Sequence, residues 1–492
     1  FVGSEVSDTL RLDQIRRDSD GDWGFTGAWN ISLGDGNDEI NGGLFINNDS
    51  VDMGAGDDSV RLNVGSVGTP TYALLDMTKL DGGSGTDTLS FADMGSQGST
   101  ELTLTHGGAT NFENIDGTGG DAIIRGDTGA NVLRGSGGTD TIYGGGGDDS
   151  LTGSFNWSTQ YDSTSYRISA ANESNNDTDD KLYGEAGNDL LIGTAGDNIL
   201  DGGTGADIIY SGSGSDTIVL RVGDGGSTLA AADTIADFTD GSDVLGLDGS
   251  LTYTDLTIAQ GTGSNSSDTI IKAGSEYLAI LTGITASNVN YLDVVSTATG
   301  NQTLSGTSGD DILIGAAGID TVTSNTGTDV ILTHGGDDAI TVDGAGNKTI
   351  DGGSGTDSLT ITLSGHTSLS NFEVRYANSS FTLTSLSTNE TISFSNIENL
   401  TVGSQSYSVN VGELGTTDTV NVIWGAGEGK FYGFAGVANW GGDDGIGSRM
   451  TELQKAFPTN GGVPGLYDLR TSTIGFVGSE VSDTLRLDQI RR

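Results

Sequence analysis

Cysteine is absent, so a disulfide framework, a thiolate zinc site, an iron–sulfur cluster and a thiol nucleophile are all excluded. Cysteine absence does not fix a compartment. Basic residues are few: 20 Lys and Arg stand against 68 Asp and Glu, for a net charge of −48 over 492 residues. A polyanion of this strength is a poor partner for nucleic acid, whose binding needs basic surface. Three prolines, and glycine without a three-residue period, exclude a collagen-like helix. No run of 18 apolar residues occurs, so no helical membrane span is expected. Only three histidines are present, His106, His334 and His366, and none lies in an H-E-x-x-H zinc motif. Neither a G-x-S-x-G elbow nor a phosphate-binding loop appears.

Glycine, by contrast, is plentiful: 82 residues, about one in six. High charge with high glycine is one signature of disorder. Yet 34% of the chain is apolar, and those residues recur at set distances from Gly and Asp. From Gly126 the chain reads GDTGANVLR, GSGGTDTIY, GGGGDDSLT. The register resumes near Asn175 with NNDTDDKLY, GEAGNDLLI, GTAGDNILD, GGTGADIIY and SGSGSDTIV. A second array starts at Gly306: GTSGDDILI, GAAGIDTVT, SNTGTDVIL, THGGDDAIT, then Val342, DGAGNKTID and GGSGTDSLT. Sparser copies lie at 33–41, 44–61 and 82–90. About three domains are expected from length alone.

The consensus is G-G-x-G-x-D-x-U-x, with U apolar. Glycine permits the positive φ of tight turns. The residue at position eight points inward and its neighbours outward, as in a short strand. The sixth-position carboxylate faces the turn of a neighbouring copy, where carbonyls of the Gly-rich turn add oxygen ligands. Hard oxygen donors in a flexible arrangement select Ca²⁺. The expected ligands are Asp38, Asp58, Asp87, Asp140, Asp149, Asp180, Asp189, Asp207 and Asp216 in the first half. In the second half they are Asp311, Asp320, Asp329, Asp338 and Asp357. Four copies depart from the pattern: Asn131, Asn198 and Ala122 replace the acid, and Lys348 puts a cation where a cation ligand belongs. At Lys348 either the calcium site is lost or the ammonium replaces the ion. His334 sits at a glycine position and reads as structural.

These nonapeptides resemble the RTX (repeats-in-toxin) parallel β-roll. The resemblance implies two nonapeptides per turn of a right-handed coil with rows of Ca²⁺ between turns. Residues 233–247, DTIADFTDGSDVLGL, followed by LTYTDLTIAQ, DTIIKA and EYLAILTGI, resemble the segment that caps such rolls in secreted bacterial proteins. A cap is needed because the last coil exposes an apolar section and unpaired edges. The resemblance also implies type I secretion, with a C-terminal signal beyond this segment of chain.

Two further repeats are visible. DGGSGTD occurs at 81–87 and 351–357, each followed by a β-rich stretch and a similar phrase, NFENIDGT at 111–118 and SNIENLTV at 395–402. Residues 1–17, FVGSEVSDTLRLDQIRR, recur letter for letter at 476–492, a period of 475. Either a tag is duplicated, or the chain is one unit and the start of the next in a longer tandem protein. A start at Phe1 rather than Met fits a fragment or processed piece.

The expected class is all-β: Ca²⁺-bound parallel β-rolls with β-rich, sandwich-like caps and a small mixed junction domain. The expected divisions are 1–80, an N-terminal β domain with sparse repeats; 81–222, a first roll interrupted by an aromatic-bearing loop at 153–174; and 223–296, its cap. Then come 297–360, a second roll; 361–412, a β-rich segment; 413–475, an aromatic junction holding one helix at 448–457; and 476–492, the next unit. No enzyme is expected, since the motif already explains the paired carboxylates. The expected role is a calcium-dependent structural unit of a secreted filament, sheath or surface layer. The alternatives are a spacer of a giant adhesin and, last, an accessory module of an RTX enzyme or toxin. The expected partners are copies of the chain, end to end or laterally, with cell-surface polysaccharide as a second candidate. Calcium would neutralise carboxylates that otherwise keep the chain expanded for export.

Overall fold

The computed structural model describes residues 3, 6–11, 30–41, 50–62, 77–91, 100–154, 178–414, 418–425 and 430–436. These residues form β-strands and short 3-10 turns, with no α-helix among them. The chain divides into two compact units, 1–294 and 295–492. The expected helix at 448–457, most of the loop at 153–174 and the second copy of the seventeen-residue segment lie outside the described residues.

In the first unit, strands alternate between one 13-stranded sheet and an opposite face made of a three-stranded and an eight-stranded sheet, so each passage around the coil adds one parallel rung to each face. One sheet runs from Thr9–Arg11 through ten parallel rungs to Asp233–Ile235. The position-eight residues stack in a column: Ile40, Val60, Leu89, Ile115, Leu133, Leu151, Leu191, Ile209 and Ile235 pair in register, and all are fully buried. Opposite them run Ile124, Ile142, Leu182, Leu200, Ile218 and Leu245. The neighbours at seven and nine face out, and Ile208 and Tyr210, flanking Ile209, are 45% and 42% exposed. The parallel β-rolls expected from the repeat are therefore present. Within the regular arrays paired rungs are 18 residues apart, two nonapeptides. The separation is 40 across the insertion and ranges from 19 to 30 toward the N-terminus, the caps and the end of the second roll.

The strands are short because the turns demand backbone that few residues adopt. Gly205 has φ 149°, and a Cβ there would overlap the Gly187 carbonyl. In several turns the second motif position is left-handed although it is not glycine: Ser136, Glu185, Thr194 and His334 have φ 90°, 70°, 78° and 63°, whereas Asp127, Thr307 and Ala316 at the same position are not left-handed. The coil imposes this conformation on the residue, at a strain of about 1 kcal/mol or more for a side chain with Cβ.

The rolls are closed by antiparallel strands. Glu276–Leu281 lies parallel to Asp233–Ile235 and then pairs antiparallel with Thr269–Ala273, which pairs with Leu256–Gln260. Arg221 ties roll to cap, holding Asp201 at 2.5 Å, Asp248 at 3.0 Å and Asp224 at 3.2 Å. In the second unit two sheets enclose one apolar core, with Val322, Ile340, Leu359 and Leu400 on one side and Ile331, Ile350, Phe394 and Phe381 on the other. Hairpins over 372–395 and strands Gln405–Leu414, Asp418–Gly425 and Lys430–Gly436 extend those sheets in the antiparallel sense.

Thr194 offers a direct check on turn strain. It is β-branched at φ 78°, and its buried hydroxyl has no hydrogen-bond partner. Thr194→Gly is expected to raise the unfolding free energy in calcium by about 1 kcal/mol, read from denaturant midpoints. A loss of stability would show that the threonine methyl packs more productively than its backbone is strained.

Candidate calcium-binding turns

Each sixth-position aspartate performs one job with one oxygen. Its Oδ1 accepts the backbone N–H of the corresponding residue one coil earlier. In the first unit Asp8 donates to Asp38 at 2.6 Å, Asp38 to Asp58 at 2.7 Å and Asp58 to Asp87 at 2.8 Å. On one face Ala122 donates to Asp140 and Asp140 to Asp180, both at 2.7 Å. On the other, Asn131 donates to Asp149, Asp149 to Asp189 and Asp189 to Asp207, each at 2.7 Å. Asn198 donates to Asp216 at 2.8 Å. The second unit repeats this with Asp311 to Asp329 at 3.1 Å, Asp320 to Asp338 at 2.7 Å and Asp338 to Asp357 at 2.8 Å.

The second oxygen is left over. Oδ2 of Asp38, Asp58, Asp87, Asp140, Asp149, Asp189, Asp207, Asp216, Asp338 and Asp357 is buried with no hydrogen-bond partner. It faces the first glycine of the turn: a Cβ on Gly144 would lie 2.5 Å from Asp149 Oδ2, and one on Gly352 2.8 Å from Asp357 Oδ2. A buried carboxylate with an unanswered oxygen is strongly disfavoured unless a cation meets it. Among the described residues no three carboxylate or imidazole groups converge on one point. A cation held here therefore draws its remaining ligands from turn carbonyls, an all-oxygen set suited to Ca²⁺.

Three of the expected positions differ. Asp320 Oδ2 accepts the Ala316 N–H at 2.7 Å, within its own turn. Asp311 is only half-buried, and Thr307 donates to it from both N–H and hydroxyl. Asp329 Oδ2 faces the Lys348 ammonium at 2.9 Å. Where asparagine replaces the acid, its amide supplies a donor of its own: Asn131 Nδ2 donates to Glu113 O at 2.8 Å and Asn198 Nδ2 to Gly196 O at 3.0 Å. Asp180 keeps its place in the ladder, donating to Asn198 Oδ1 at 2.9 Å.

Four acids that the glycine-based pattern missed end the ladders. Asp207 donates to Asp233 Oδ1 at 3.0 Å and Asp216 to Asp243 Oδ1 at 3.1 Å, both in the cap. Asp87 donates to Glu113 Oε2 at 2.8 Å, and Asp357 to Glu398 Oε2 at 2.7 Å. The tail of the motif alone would have found them, because ENID and ENLT place an acid two residues before a fully buried Ile115 or Leu400. The two DGGSGTD copies match in detail. Asn111 and Asn396, at φ 56° and 50°, each donate from Nδ2 to Oδ1 of Asp81 and Asp351 at 2.7 Å. Position five forms an outer exposed ladder: Asp148, Asp179, Asp197, Asp310 and Asp337 accept N–H groups one coil later.

The histidines have structural partners or surroundings. His106 meets the Phe91 ring edge-on at 5.3 Å. His366 Nε2 contacts Ser385 Oγ at 2.9 Å, but both residues are buried, and that oxygen also accepts the N–H groups of Ser387 and Thr388. The pair anchors a hairpin. Burial pushes the His334 imidazole below its ordinary value. A cavity of about 330 Å³ lies beside Tyr143 and Tyr183, whose rings stack at 5.0 Å, but its acids Asp201 and Asp224 are engaged by Arg221.

A coil whose turns present buried carboxylate oxygens to their own carbonyls defines a cation-dependent β-roll. Four segments, 116–151, 183–218, 296–331 and 305–340, match the RTX calcium-binding nonapeptide repeat. The chain thus carries RTX repeats, and Ca²⁺ is the ion of this repeat. Among curated proteins none matches it. The solved structure of the extracellular lipase LipA from Serratia marcescens is similar over 40% of this chain, at 19% identity and a TM-score of 0.18. The match spans 42% of the lipase, and so low a TM-score supports no argument about this chain. The repeats make this a calcium-binding structural element of a kind typical of secreted proteins. No helix among the described residues is long and apolar enough to cross a membrane.

Burial, before any neighbouring charge, raises the carboxyl pKa values. Asp149 and Asp357 rise to about 6, Asp87, Asp189 and Asp216 to about 7, and Asp140 and Asp233 to about 9. A folded-state value above the unfolded one gives stability that is full below the ordinary pKa of 3.8 and is lost as pH rises through the raised value. In chelator, β-structure is therefore expected at pH about 4 and should fade between about pH 6 and 9. Calcium, which binds the deprotonated form, reverses the trend. Circular dichroism against pH with and without calcium checks this; metal-free β-structure that strengthens with pH would contradict it.

Proposed function

We propose that this chain is a calcium-rigidified structural unit of a secreted bacterial surface protein, built to repeat in tandem and to assemble into an extracellular filament, sheath or layer. Asp38, Asp58, Asp87, Asp140, Asp149, Asp180, Asp189, Asp207, Asp216, Asp338 and Asp357 hold calcium together with turn carbonyls, and Asp311 and Asp320 join them by turning from their own loops. The bound ion supplies the positive charge that lets stacked carboxylates coexist. The chain's own residues do the rest: the Oδ1 ladder sets the register, glycine clears the turn, and the aliphatic column closes the core.

The observation that carries the tandem reading is the seventeen-residue identity. In its first copy, Leu10 pairs with Ile40 and Asp8 donates to Asp38, so the segment makes the first rung of a roll. The same letters recur at 476–492. A long product of like units follows, and a catalytic role gains nothing from such repetition. The spacer of a giant adhesin is the second reading, favoured by the same repetition if units do not associate laterally.

Light scattering during a titration from chelator to about 10 mM calcium, with electron micrographs at both ends, separates the two. Growth of mass into filaments or sheets is the expected result. Compaction to a monomer would overturn assembly and leave the spacer. For the ligand assignment, Asp189→Asn is expected to bind at least one calcium fewer by calorimetry, and an unchanged stoichiometry would remove Asp189 from the set.

A further inference from the structure

We propose that the Lys348 side chain is a covalently tethered substitute for the calcium ion of its turn, so that the last step of the second roll closes without metal. The inference rests on reading the other turns as calcium sites. Lys348 stands at the sixth position of DGAGNKTID, opposite Asp329 in the parallel register. Both side chains are 0% exposed. Lysine is almost never buried to this extent without dedicated partners, and here it has a full set. An ammonium has three donors. They meet three oxygens: Asp329 Oδ2 at 2.9 Å, Gly327 O at 2.6 Å and Ala345 O at 3.2 Å.

Those acceptors are the kind a calcium ion would use: one sixth-position carboxylate oxygen and the carbonyls of two Gly-rich turns. Oδ2 lacks a hydrogen-bond partner in ten other aspartates and in Asp329 as well, but at Asp329 a cation of the chain itself stands against it as an ion pair. With a nitrogen at these distances no room remains for an ion that needs six to eight oxygens at about 2.4 Å.

The position explains the exchange. The ladders of Asp207, Asp216 and Asp357 end on a carboxylate from a capping segment, Asp233, Asp243 and Glu398. Above Lys348 the next strand is Thr391–Ser395, and its residue in register is Ile392. Glu390 of the cap accepts the Gly346 N–H of this turn at 3.0 Å, but no acid stands in register with Lys348, and the row ends on Ile392. A single tethered charge balances the single carboxylate of Asp329. The steps whose Oδ2 is unmet wait for calcium, whereas the step that docks the second roll on its cap is always loaded. The second unit then has a metal-independent foothold at 327–351 from which calcium-driven coils propagate.

The test uses the full chain as wild type, Lys348→Met and Lys348→Asp, with hydrogen exchange followed by mass spectrometry in chelator and in calcium. In chelator, wild-type amides over 328–351 should exchange at least about tenfold more slowly than those of K348M. Equal exchange in the two would overturn the proposal. K348D should be unprotected in chelator, regain protection in calcium, and bind one calcium more than wild type by calorimetry. If K348D folds in calcium yet takes up no extra ion, Lys348 is merely a buried ion pair and the proposal fails. The amides of 123–220 serve as the separate control. Their protection in chelator would refute calcium-dependent folding itself, whatever Lys348 does.

Discussion

The rest of the structure depends on how one carboxylate divides its two oxygens. Oδ1 is committed to the backbone one coil earlier, which sets the register of each rung and buries the side chain. Oδ2 is thereby carried into the interior with its charge unmet. A fold that gains its alignment from the first oxygen cannot avoid the electrostatic penalty of the second. The penalty is paid once per acidic nonapeptide, in columns of like charge, and calcium makes it bearable. Folding and metal binding are then one event, because neither the register nor the ion site exists without the other.

Much of this was legible in the sequence because the coil is a local code. Seven residues apart, Gly and an aliphatic side chain announce a turn and a short strand, and the aliphatic position proves fully buried from Leu133 to Ile218. The code loses legibility where glycine is dispensable. Glu113, Asp233, Asp243 and Glu398 do an aspartate's work without a nonapeptide turn before them, because other stretches of chain supply the backbone path. Nor could spacing alone show that Asp320 and Asp311 spend their second oxygens on their own loops. That depends on whether the turn offers a donor at the right height, which is a matter of three-dimensional backbone path. At Lys348 the letters left two outcomes open, and only the three acceptors around Nζ distinguish a lost site from an answered one.

The caps follow a different logic from the coils. A parallel coil can always accept another rung, so termination must be imposed. Here it is imposed by reversing strand direction, with Thr269–Ala273 and Ser380–Ser385 running antiparallel to what precedes them. The change of side-chain class accompanies it: the aliphatic column gives way to Phe394 and Phe381, stacked at 5.6 Å. Aromatic rings broaden the core where the narrow coil ends and leave no aliphatic slot for a further nonapeptide.

The loop between Gly153 and Asp180 shows what kind of counting the coil does. Across it the sequence separation of paired rungs leaps from 18 to 40, yet Asp140 donates to Asp180 and Asp149 to Asp189 at the same 2.7 Å found elsewhere. The coil registers turns and ignores the length of chain between them. The chain between two rungs is thus separable from the problem of folding: a segment can be lengthened, shortened or exchanged at a turn while the ladder on either side closes as before, so the scaffold stays constant while the intervening sequence is free to vary.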